Sequence, residues 1–154
     1  MVHQSSILDK EHAELLEQLE DASLKNNGVS ELFKEMHSKF LVHLAKENET
    51  ILPLLSYVKA VSDGKVIGED QNYINAGEKF RKDYDKMVSE HRKMRDLIGK
   101  VEEKLKVHPN AQLSKLVGFL LEHIELEEEF LYPSARMAAK TIRLEHELKG
   151  MAVR

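Results

Sequence analysis

The chain has 154 residues, 42% of them hydrophobic and 32% charged, with a formal charge of -4. This size and balance suit one folded domain, residues 1–154, rather than a disordered chain, and the mild charge argues against a nucleic-acid partner. The absence of Cys excludes a disulfide scaffold, thiolate metal sites, thiol catalysis and haem attachment through thioethers.

The first helix is expected from about Ser6 to Lys25, stopping at Asn26-Asn27-Gly28, a turn and C-cap signal. Its leading residues, Met-Val-His-Gln-Ser-Ser, lack the apolar stretch of a signal peptide. No apolar run reaches membrane-span length, so the expectation is a cytoplasmic protein with no membrane partner. A second helix starts near Ser30 and continues past Ala45 toward Pro53 or Lys59, and Ser62-Asp63-Gly64 opens a loop through Gly68. The third runs from about Asp70 to Lys106 and ends before His108-Pro109-Asn110. The fourth runs from about Gln112 to Ala139, and the tail from Thr141 to Arg154 has room for a short fifth helix.

Each helix carries an apolar stripe at steps of three and four. Leu8, His12, Leu15 and Leu19 form the first. Phe33, Met36, Phe40, His43, Glu47, Thr50 and Leu54 form the second. Phe80, Tyr84, Met87, His91, Met94, Ile98, Val101 and Leu105 form the third. Leu116, Leu120, His123, Glu127, Phe130 and Ser134 form the fourth. Stripes of this period are the core-facing sides of packed helices, which predicts an all-α, up-down-up-down four-helix bundle.

The chain also repeats itself. His43-Leu-Ala-Lys-Glu47-Asn-Glu49-Thr-Ile-Leu-Pro53 matches His123-Ile-Glu-Leu-Glu127-Glu-Glu129-Phe-Leu-Tyr-Pro133 at His, Glu, Glu and Pro. Upstream, Glu11-His12 precedes the first segment much as Glu90-His91 precedes the second. Two such halves packed antiparallel make a bundle with an internal pseudo-twofold axis. Residues four apart share a helix face, so His43 and Glu47 can reach one ion, and so can His123 and Glu127.

Alone, a His on an apolar face is usually a satisfied core residue, and His-x-x-x-Glu is a common helix ion pair. The duplication alters the balance. His12, His43, Glu47, His91, His123 and Glu127 all lie on the inward stripes. Two carboxylates and four imidazoles at one level of a core need compensating charge, because an unpaired buried carboxylate costs several kcal/mol. A pair of cations supplies it; this mixed ligation suits iron, with manganese or zinc as alternatives. His3, His37 and His108 lie off the stripes and are expected in solvent, as is the flank of Glu127, while His146 is kept out of the site.

These pieces resemble the hemerythrin-like, or HHE cation-binding, family: Glu11-His12, His43-x-x-x-Glu47, Glu90-His91 and His123-x-x-x-Glu127, with Pro53 and Pro133 six after each Glu. The resemblance runs from His12 to Pro133 and implies a single hemerythrin-like bundle around a non-haem di-iron centre. It implies terminal His12, His43, His91 and His123, with Glu47 and Glu127 bridging. Ferritin-like proteins use Glu-x-x-His instead, which only Asp9-x-x-His12 approaches here. One departure stands out. Oxygen-carrying hemerythrins have a fifth His four residues from the third-helix His, where this chain has Met87 and Arg95. Reversible oxygen carriage is therefore not expected.

What remains is a protein that binds or senses oxygen, another small oxidant or a diatomic, or that buffers iron. The alternative is a di-iron enzyme acting on peroxide or nitric oxide. A metal-free scaffold is disfavoured by the buried charge. The expected partner is a small diatomic or peroxide.

Overall fold

The computed structural model describes residues 5–25 and 28–152. Four rods form the bundle: α1 (Ser5–Leu24), α2 (Ser30–Ser62), α3 (Gln71–Val107) and a long last rod. The last rod begins as α4 (Ala111–Leu126), passes through a π-helical turn (Glu127–Leu131) and continues as α5 (Tyr132–Ala152). The expected fifth helix is thus not a separate element, because the helix runs on through Thr141. His3 and Asn26-Asn27 lie outside the described residues. Gly28 has φ +77°, the left-handed conformation a glycine adopts without strain after a helix end.

Short polar caps begin the later helices. The Asp70 carboxylate accepts from the Asn72 amide at 2.8 Å, and the Asn110 side-chain oxygen accepts from the Leu113 amide at 3.1 Å. Both satisfy amides that the first helical turn leaves without partners.

The rods enclose two apolar cores. One holds Leu19, Phe33, Met36, Phe40, Ile98, Val101, Leu120 and Ile124, and draws on α1, α2, α3 and α4. The other holds Ile51, Leu54, Phe80, Met87, Tyr132, Ala135 and Ile142, and draws on α2, α3 and α5, with none of the described residues of α1. Among the described residues α1 adds to the first core only, and His12 lies in the first half of this helix. Between the two cores lies a polar layer.

The fourth stripe follows its expected phase only to Glu127. Beyond it Phe130 is 60% exposed, while Tyr132, Ala135, Ala138 and Ala139 are buried. The π turn adds one residue to the helical repeat, so every later inward position moves along by one.

Candidate metal centre

The polar layer is made of His12 from α1, His43 and Glu47 from α2, His91 from α3, His123 from α4, and Glu127 at the start of the π turn. All are buried, none more than 5% exposed. Two sets of donor atoms converge: His12, Glu47, His123 and Glu127 in one, and His43, His91 and Glu127 in the other. Each set takes one His from each half of the repeat, so the halves interlock at the centre. Glu127 belongs to both sets. Glu47 spans the centre too, with Oε1 3.1 Å from His43 Nε2 as well as its place beside His12 and His123.

The outer ring nitrogens show which way these rings face. His43 Nδ1 lies 3.3 Å from Glu90 Oε1, and Glu90 is anchored by Lys46 Nζ at 2.6 Å. His91 Nδ1 lies 3.0 Å from Glu128 Oε1, and Arg95 grips both Glu128 oxygens at 3.0 and 2.8 Å. His123 Nδ1 lies 2.7 Å from Glu11 Oε1. A carboxylate accepts only, so in each case a proton sits on Nδ1, and Nε2 turns inward. Around His12 the matching group is the neutral Asn48. It lies close enough to favour a charged ring, yet neither His12 nitrogen makes a hydrogen bond of good geometry.

The inward Nε2 atoms then meet one another and the carboxylates. His43 Nε2 and His91 Nε2 are 3.0 Å apart. His123 Nε2 is 3.0 Å from Glu127 Oε1, and His91 Nε2 is 3.3 Å from the same oxygen. Despite these short approaches, His123 Nε2, Glu47 Oε1 and Glu127 Oε1 have no hydrogen bond. Buried polar atoms left without a hydrogen-bond partner are destabilising by a few kcal/mol each. A cation is what such a constellation fits, and the donors are of the mixed imidazole–carboxylate kind.

The electrostatics agree. Burial would raise the Glu47 carboxyl, but His43, His12 and His123 outweigh it and hold it below its usual range. Burial opposes charge on His43 as well, yet Glu47 and Glu90 lift its pKa above the ordinary value. His91, desolvated and beside His43, falls to about 4 and stays neutral.

Two clefts approach the layer from opposite sides. One, of about 260 Å³, lies between α2 and α3 and is bounded by Lys39, Val42, His43, Glu90, Lys93 and Met94. The other, of about 290 Å³, lies between α1 and α4 and is bounded by Phe119, Glu122, His123, Glu11, Glu14 and Leu15. Position by position these are the repeat's equivalents, which gives the pseudo-twofold axis a physical form.

Several residues take roles the sequence did not give them. Glu128, expected as solvated flank, is bound to His91 and Arg95. Glu11 and Glu90 each orient a His on a neighbouring helix; their recurrence before a His was the available signal. Tyr132 places its hydroxyl 3.2 Å from His91 Nε2 and 3.3 Å from His43 Nε2, and no pattern in the sequence pointed to it. His37 is half-buried away from the layer and His108 is exposed. His146 pairs with Glu69 at the surface. Among the described residues, no helix is long and apolar enough to cross a membrane.

The family model described as "Hemerythrin HHE cation binding domain" matches residues 3–135. No curated protein and no solved structure matches the chain. With that match covering most of its length, the chain belongs to the hemerythrin HHE cation-binding family.

Proposed function

We propose that this member of the hemerythrin family holds two iron ions between His12, His43, Glu47, His91, His123 and Glu127, and uses them to bind a small oxidant or diatomic. The carrying observation is the set of buried acceptor atoms that face one another without hydrogen bonds. His12 and His123 serve one ion, His43 and His91 the other, and the two carboxylates bridge. The irons supply Lewis acidity and electrons for a diatomic or peroxide. The protein fixes the rings through Glu11, Glu90 and Glu128, keeps bulk water away with two apolar cores, and leaves two small clefts for access. On this reading residues 1–154 act as one domain.

The orienting carboxylates give a direct test. Glu128→Ala frees the His91 ring and leaves Arg95 without its partner. Metal affinity should fall about 10–100-fold, since such partners fix ring tautomer and orientation. Competition with a chromophoric chelator measures it; unchanged affinity would remove Glu128 from the account.

Oxygen behaviour tests the function. No imidazole stands four residues from His91: Met87 is packed in the second core and Arg95 is committed to Glu128. The reduced, iron-loaded protein should therefore be oxidised by oxygen in one direction. Optical spectra through cycles of air and vacuum follow this, and oxygen released unchanged over repeated cycles would show a carrier instead.

A further inference from the structure

Tyr132 is the polar group at the centre that the proposed ligand set leaves unused. It is 1% exposed. Its Oη lies 3.2 Å from His91 Nε2, 3.3 Å from His43 Nε2 and 3.4 Å from Glu47 Oε2. It is nearly equidistant from three inward donors on two helices.

That spacing has a geometric meaning. Neighbouring donors on an octahedral ion with bonds of roughly 2.1 Å lie about 3.0 Å apart. The contacts among His43 Nε2, His91 Nε2, Glu47 Oε1 and Glu127 Oε1 are 3.0, 3.1 and 3.3 Å. Tyr132 Oη approaches the two ring nitrogens of this cluster at 3.2 and 3.3 Å. By the offset of the repeat, the counterpart of Tyr132 is Leu52, which carries no hydroxyl.

The backbone explains how the ring arrives there. In α2 the residue one turn beyond Glu47 is Ile51, buried in the second core. The same step from Glu127 would bring in Leu131. Instead the Tyr132 amide donates to the Glu127 carbonyl, five residues back, and the added residue swings Tyr132 beneath Glu127. Pro133 has no amide hydrogen to restore the tighter ladder. The ring is then held by stacking on His91, with centroids 5.2 Å apart and planes at 11°, and by edge contacts to Phe80 and Tyr84.

We propose that Tyr132 is a seventh protein ligand, its oxygen bonding the ion held by His43 and His91, so that the two ions of the centre are unlike. This rests on the di-iron reading above. The bond forms as the phenol proton is released to solvent and the oxygen lone pair is donated to the metal; no electron is transferred. The ion at His43 and His91 then has five protein donors and the other has four. The more open ion, at His12 and His123, becomes the place for an exogenous ligand. A hard anionic oxygen also favours ferric over ferrous iron, in keeping with one-way oxidation.

The test uses the full chain loaded anaerobically with two equivalents of ferrous iron and then oxidised. A phenolate-to-iron charge-transfer band should appear in the visible, with tyrosine ring modes enhanced in the resonance Raman spectrum. Tyr132→Phe should retain its iron and its helical circular dichroism but lose both signals. Tyr84→Phe, altering the neighbouring ring at 6.1 Å, should keep them. Iron-loaded wild type without tyrosine modes overturns the assignment, whether or not the Tyr132→Phe chain folds, and so does a band that survives Tyr132→Phe. A wild-type chain that takes up no iron overturns the centre itself and the tyrosine ligand with it, which separates the two failures.

Discussion

Two equivalents of ferrous iron, added anaerobically, should raise the melting temperature of the chain by about 10 °C or more. A ligand present at a thousand times its dissociation constant stabilises the folded state by about 4 kcal/mol, and for a chain of this size each kcal/mol moves the midpoint by about 2–4 °C. The structure gives the reason for so large a response. Without cations, Glu47 Oε1, Glu127 Oε1 and His123 Nε2 are buried with no hydrogen bond, and His43 Nε2 faces His91 Nε2 at 3.0 Å. Proton transfer from solvent relieves part of this, as the raised His43 and lowered Glu47 indicate, but the geometry fits direct pairing poorly. The two apolar cores lie on either side of the polar layer and, Tyr132 apart, are built from residues outside it. The metal-free chain should therefore keep its helices and loosen chiefly around His43 and His123. Melts followed by circular dichroism, with and without iron, check this; coincident curves would show that the layer does not bind the metal tightly.

Removing a bridging carboxylate should cost both ions, and removing one terminal imidazole should cost less. Glu127 reaches both donor sets, and Glu47 touches His43 while belonging to the set around His12 and His123. Glu47→Ala and Glu127→Ala should therefore bind fewer than one iron per chain, whereas His12→Ala should retain the ion at His43 and His91. His12 is also the ring with the weakest outside support, since neutral Asn48 stands where the other three have a carboxylate. Metal analysis after gel filtration, with circular dichroism to confirm folding, compares the three. Two ions retained in every variant would contradict the bridging roles.

The bundle and the inward direction of the six polar residues were legible in the sequence because both follow from periodicity. A step of three or four fixes a helix face, and the repeat of His43-x-x-x-Glu47 at His123-x-x-x-Glu127 made chance placement of buried charge hard to sustain. The same periodicity misled beyond Glu127. Extrapolating the fourth stripe led to Phe130 and Ser134, but a π turn inserts a residue without any break in the apolar pattern that would betray it. Leu131-Tyr132-Pro133 reads as an ordinary helical run, as Ile51-Leu52-Pro53 does in the twin segment, yet only the former follows a π turn, Glu127–Leu131. Tyr132 was hidden for that reason. Glu128 was hidden for another: its side chain reaches sideways to His91 and Arg95 on α3, a contact set by helix packing and not by spacing along one chain segment.

The most direct measurement is the number of irons each chain holds. Metal-free protein is equilibrated anaerobically with excess ferrous iron, freed of unbound metal and analysed for iron and protein together. Two irons per chain are expected, saturating together or in two close steps. One iron, or none, would contradict a centre built from the interlocked donor sets of His12 with His123 and His43 with His91.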